Sequence, residues 1–134
     1  MKVLYVLSSP RAASHKLGGM ILPQLEAGVH GAEPVGFFFF DDNVLVLQKG
    51  NPIGERLMVL ARARGFFVMA CDGCALERGL AQGEPRWCTP EGRGKGEPTA
   101  LEPAPHLLEG VELGCFPDLY ARAGSNPPHQ VITL

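Results

Sequence analysis

A chain of 134 residues with a net charge of -2, 46% hydrophobic and 19% charged residues has the length of one domain and enough apolar material for a core of its own. That balance excludes a disordered chain, and it offers no global attraction to nucleic acid or to acidic membranes. The longest apolar runs, such as Val44 to Leu47, are far too short for a bilayer span, and Val3 to Leu7 is too brief for a signal peptide. The expectation is therefore a cytoplasmic single domain over residues 1–134, with no direct nucleic-acid partner and no membrane contact. In a reducing compartment its four cysteines point to redox, metal or catalytic chemistry rather than to a permanent disulfide framework.

Lys2 to Leu7 is a continuous Val/Leu-rich run, the pattern of a strand covered on both faces. Ser8-Ser9-Pro10-Arg11 breaks it, and a helix follows from about Lys16 to Ala27, bent or shortened at Pro23. Val35 to Phe40 reads as a second buried strand that stops at Asp41-Asp42-Asn43, while Val44 to Leu47 fits either a short strand or the edge of a helix. Ile53 to Arg64 carries apolar residues on one face and charges on the other, an amphipathic helix closed by Gly65. Phe66 to Ala70 is the third strand and Ala75 to Leu80 the helix behind it. Residues 83–105 are rich in glycine and proline and read either as a long surface loop or flap, where Trp87 and Cys88 would cover a crevice, or equally as a disordered insertion. Strand Val111 to Phe116, helix Pro117 to Ala123 and strand Gln130 to Leu134 complete the chain. Strands alternating with helices predict an α/β fold of three layers, with a mostly parallel sheet of about five strands between helices.

The chemistry concentrates in Cys71-Asp72-Gly73-Cys74-Ala75-Leu76-Glu77-Arg78-Gly79-Leu80. A buried strand delivers a thiol to its carboxyl end, the edge that lines the functional crevice of open parallel sheets. A helix begins there, and its amides favour the thiolate, the reactive form of the sulfur. Cys71 and Cys74 at this spacing can cycle through a disulfide, supply half of a zinc site, or carry a terminal sulfur as a persulfide. The plain alternative is two small buried hydrophobes at a strand end. The zinc reading needs two further ligands, and Cys88, Cys115 and the four histidines are all isolated in sequence. No metal and no cofactor is expected.

An apolar strand, a cysteine, two small or polar residues, a further small residue and then Ala75-Leu76-Glu77-Arg78-Gly79-Leu80 resembles the signature of the DsrE/DsrF-like sulfur-relay family, which includes the TusD-type proteins of tRNA thiolation. The opening strand, the run Phe37 to Phe40 ending in acids, and the closing strand Val131-Ile132-Thr133-Leu134 are similar to the family as well. Asn43-Val44 stands where the family often has Gly-Val, and Ser8-Ser9-Pro10-Arg11 where it usually has a longer polar segment. The resemblance implies a flavodoxin-like, DsrE-type fold and a sulfurtransferase that accepts sulfur on Cys71, with Cys74 modulating or resolving it. It also implies sulfur donor and acceptor proteins as partners and a homo- or hetero-oligomer.

Two rival readings use other residues. Cys71 and Cys74 serve equally as a dithiol redox pair. The segment Ser8 to Ser14 resembles the phosphate loop of flavodoxin-like FMN reductases, in which hydroxyls and loop amides hold a phosphate. Asp41 and Asp42 end a strand on the same edge as Cys71 and are candidate proton acceptors or loop caps. Asp72 raises the pKa of the neighbouring thiol unless it turns toward the helix amides, and Arg78 can offset it or bind an anionic donor. Cys115, at the end of the fourth strand of the pattern, is a candidate second sulfur site.

Overall fold

The computed structural model describes residues 1–94 and 96–134. Its strands are β1 (Lys2–Leu7), β2 (Glu33–Phe39), β3 (Phe67–Cys71), β4 (Ala81–Gln82), β5 (Glu102–Pro103), β6 (Glu112–Gly114) and β7 (Gln130–Thr133). Five of them form one sheet in the order β6-β3-β2-β1-β7, with every neighbouring pair parallel, while β4 and β5 form a separate antiparallel pair. The α-helices are α1 (Leu22–Ala27), α2 (Pro52–Arg64), α3 (Asp72–Glu77) and α4 (Phe116–Ser125).

The apolar runs become central strands because both faces of the sheet are covered. All five residues of β3 are buried. Alternation along the strands divides the interior into two cores. Tyr5, Leu7, Phe37, Phe39, Val68 and Ala70 join Leu25 of α1, Leu57 of α2 and Ala75 of α3 on one side. Leu4, Phe38, Phe67, Met69 and Cys71 face the other side, where Leu119 of α4 packs. The result is the three-layer α/β arrangement that the strand and helix alternation predicts.

Several boundaries differ from the sequence reading for local reasons. The first helix starts at Ala12 rather than Lys16, as a π-helical stretch (Ala12–Ile21) that runs into α1. Pro23 falls where the π-helical stretch passes into α1, at the change of winding. Asp41–Leu47 is a 3₁₀ helix, so of the two alternatives open for Val44 to Leu47 the strand does not form and the helical one holds as a tighter coil. Helix α2 follows its amphipathic pattern, with the Asn51 side chain accepting from the Ile53 and Gly54 amides and Gly65 closing it at φ 77. Helix α3 begins at once after β3 and ends at Glu77. Beyond it the Leu80 amide bonds to the Ala75 carbonyl at 2.8 Å and turns Leu80 into the core. The stretch 83–105 is less bare than a structureless loop, since β5 lies within it and pairs with β4.

Candidate functional site

Strand β3 and helix α3 meet with no residue between them, so Cys71 is both the last residue of the strand and the N-cap of the helix. Its Sγ accepts the Cys74 amide at 3.5 Å, which draws the two thiols together. Cys71 is buried, 8% exposed, on the inner face of the sheet under α4, whereas Cys74 is half-buried and reaches the crevice. Cys74, and not the Cys71 that the family resemblance marks as the sulfur acceptor, is therefore the more accessible thiol. The reason is the pleat: Cys71 alternates with Met69 and Phe67 and so shares their buried side.

The environment of Cys74 comes from two other elements. Asp41 has φ 52, a left-handed backbone that aims its N–H at the sulfur, and the Asp41 amide donates to Cys74 Sγ at 3.2 Å. The Asp41 carboxylate lies 4.0 Å from the same sulfur. Arg78, one helical turn on, donates from Nη1 to the Cys74 carbonyl at 3.1 Å and from Nε to the Asp42 carboxylate at 2.8 Å. The sequence-selected residues Asp41, Asp42, Cys71, Cys74 and Arg78 therefore gather at one carboxyl edge. A hydrogen bond from the Cys71 thiol, the Asp41 amide and the Arg78 guanidinium hold Cys74 down at about 7, against burial and the Asp41 carboxylate. Cys71 moves the other way, because it surrenders its hydrogen bond to Cys74, is buried, and has Asp72 beside it. Cys74 is the better thiolate of the two, contrary to the preference for Cys71 read from the sequence.

Cys115 needs a further correction. It is disulfide-bonded to Cys88 and so is not a free second sulfur site, and two of the four cysteines do form a disulfide. The topology explains why: Gly114 pairs with Cys71 across β3 and β6, so Cys115 emerges beside the dithiol just where the flap carrying Cys88 passes over. The flap is held by two more contacts. A Cβ added at Gly73 would come within 2.7 Å of Trp87 Cζ3, so the indole covers the middle of the Cys71–Cys74 turn. Arg93, with a side chain only 3% exposed, pairs with Asp72 at 3.5 Å and with Asp118 at 2.9 Å. Asp72 also accepts the Gly73 amide at 2.7 Å, and Asp118 accepts the Cys115 amide at 2.7 Å as part of the α4 cap. Sequence reasoning missed Arg93, which sits between glycines in a stretch that reads as polar loop. The signal available was the cysteine at position 88, whose partner fixes the flap near the site.

Beside Cys74 a cavity of about 290 Å³ opens between the loops after β1 and β2, lined by Ser8, Ser9, Arg11, Ser14, Asp41 and Asp42 among others. The amides that a phosphate loop would offer are already used here. Ser8 and Ser9 N–H both donate to the Leu134 carbonyl, Ala12 N–H to Ser9, and Ala13 N–H to the Asn43 side chain. Four amides of the segment Ser8 to Ser14 are therefore spent on the fold itself rather than offered together to a phosphate. Among the described residues no three His, Cys, Asp or Glu side chains converge to hold a metal ion. Nor is any helix there long and apolar enough to cross a membrane.

By sequence the chain matches no family model and no curated protein. In structure it is similar to the ychN protein from E. coli, with a TM-score of 0.56 and 18% identity over 99% of this chain and 97% of that one. The likeness shows the fold, a three-layer α/β architecture with a five-stranded parallel sheet between helical layers.

Proposed function

We propose that this protein is a sulfur-relay protein whose Cys71/Cys74 pair takes up sulfur as a persulfide and passes it to a protein partner. The observation that carries the reading is the half-buried Cys74 sulfur, which accepts the Asp41 amide at 3.2 Å beside the buried Cys71; the Cys71 thiol, that amide and Arg78 bring its pKa down to about 7. A persulfide donor R–S–SH gives up its outer sulfur when Cys74 attacks that atom. The new S–S bond forms on Cys74, the old one breaks, and R–S⁻ leaves with the electron pair. An acceptor thiolate then attacks the terminal sulfur and Cys74 leaves as the thiolate. Cys71 can instead attack the inner sulfur, which releases hydrosulfide and forms the Cys71–Cys74 disulfide. The geometry thus favours Cys74 as the entering thiol and Cys71 as the resolving one, the reverse of the roles that the family resemblance implies.

The second reading, a dithiol redox pair, uses the same two sulfurs and is supported by the 3.5 Å contact between the Cys71 sulfur and the Cys74 amide. Intact mass after incubation with a persulfide donor separates the two. A relay gains reductant-sensitive steps of ~32 Da; Cys71→Ser retains them and Cys74→Ser loses them. Gain only in Cys74→Ser returns the role to Cys71. Loss of two protons in the wild type, with no sulfur gained by Cys71→Ser, which cannot resolve a persulfide, supports the redox pair instead.

A further inference from the structure

The cavity beside Cys74 takes no part in the chemistry above, yet it is built rigidly. Asn43 is buried and ties its walls together, accepting from the Ala13 amide at 2.8 Å and donating to the Ser9 carbonyl at 3.1 Å. Arg11 and Asp41, the two non-glycine residues with positive φ among those described, both line it. Residues held in such backbone regions concentrate at ligand clamps, because the surrounding fold must enforce them. Neither belongs to an ion pair among the described residues, whereas the neighbouring Asp42 is engaged by Arg78. Ser9 is also among the lining residues, and its Oγ is shielded from solvent without a hydrogen-bond partner, so it belongs to the wall rather than to the open space. One small cavity thus presents a cation and a carboxylate that belong to no ion pair among the described residues, and that carboxylate lies 4.0 Å from the Cys74 sulfur.

We propose that this cavity binds a small zwitterionic amino-acid thiol or its persulfide, carboxylate toward Arg11, ammonium toward Asp41 and sulfur toward Cys74. The proposal rests on the sulfur-relay reading and names the class of low-molecular-weight donor or acceptor it would serve. In an α-amino thiol of the cysteine type the ammonium and the sulfur are three bonds apart. The Asp41 carboxylate, 4.0 Å from Cys74 Sγ, sets the ligand sulfur close to that thiol. A volume of about 290 Å³ admits an amino acid and is too small for a dinucleotide. With the persulfide bound, the Cys74 thiolate takes the outer sulfur and its proton, and the amino-acid thiolate leaves with the electrons of the broken S–S bond. No external oxidant or reductant is needed.

The test is protection of Cys74 from iodoacetamide in the full chain, with S-methylcysteine as the unreactive zwitterionic probe and N-acetyl-S-methylcysteine amide as its neutral counterpart. At about 10 mM the zwitterion slows alkylation about fivefold, as millimolar affinity dictates, and the neutral analogue does not. Arg11→Gln, normalised to its own rate without ligand, loses this protection, and Arg11→Lys keeps part of it. Absence of protection in the wild type, equal protection by the neutral analogue, or protection that persists in Arg11→Gln overturns the proposal. The wild-type comparison of the two probes decides even where the variants fold poorly. Protection without sulfur loading in the mass experiment refutes the relay and leaves the cavity assignment standing. Loading from inorganic polysulfide without protection does the reverse.

Discussion

Breaking the Cys88–Cys115 bond tests how the flap is held over the dithiol. The cleanest perturbation is the double variant Cys88→Ser/Cys115→Ser, since serine at 115 can still cap α4 and the cap is not lost with the bond. The bridged residues are 27 apart. A closed loop of that size removes about 12 cal/mol/K of chain entropy from the unfolded state, about 3.5 kcal/mol at 25 °C. Part of this returns through the Arg93 pairs and the Trp87 contact, which do not require the bond. The expected loss is therefore about 2–3.5 kcal/mol, a large share of a domain's total stability. Urea unfolding followed by circular dichroism measures it. Trp87, the one tryptophan of the chain, reports the flap through its fluorescence. Its emission should shift to the red in the variant before any denaturant is added, and Cys71 should alkylate faster. An unchanged urea midpoint together with an unchanged Trp87 spectrum would refute the reasoning, because the flap would then be held without the bond.

Alkylation of Cys74 should rise through a midpoint near pH 7 while Cys71 stays slow up to pH 8, measured by peptide mapping, because the thiolate rather than the thiol reacts; an earlier midpoint for Cys71 contradicts the site geometry. Asp41→Asn keeps a residue that tolerates the left-handed backbone and removes a negative charge from the sulfur, so the same profile should move to lower pH. Arg78→Met removes a stabilising cation and should move it upward. Arg93→Met leaves the carboxylates of Asp72 and Asp118 under the flap without their cation and should cost about 3–5 kcal/mol by thermal unfolding. A loss below about 1 kcal/mol would mean that both carboxylates reach water instead. Gly73→Ala pushes against the outer edge of the Trp87 ring, so it should displace the indole with a clear fluorescence change and little loss of stability.

Strand and helix alternation was legible because buried parallel strands need unbroken apolar runs, and Val3–Leu7, Val35–Phe39 and Phe67–Ala70 carry them whatever their neighbours do. The same holds for α2, whose Asn51 cap, amphipathic face and Gly65 stop are all local signals. That Cys71, Cys74 and Arg78 stand where a strand hands over to a helix also followed from one ten-residue stretch, and Asp41 and Asp42 joined that edge because they end a neighbouring strand. The ranking of the two thiols did not. It depends on which side of the sheet residue 71 faces and on the Asp41 amide, 33 residues away in sequence, arriving at Cys74. The Cys88–Cys115 bond and the burial of Arg93 between Asp72 and Asp118 had no local signal beyond the isolated cysteine at position 88. Residues 83–105 carry no periodicity of their own, and their partners lie in α3 and α4. Only the pairing of β6 against β3 brings Cys115 and Asp118 beside the dithiol. Local pattern determines which segments are strands and helices because propensity and burial act over a few residues. The reactivity of one sulfur over another is decided by tertiary structure, because charge, hydrogen bonding and solvent exclusion act through space on whatever the fold brings near.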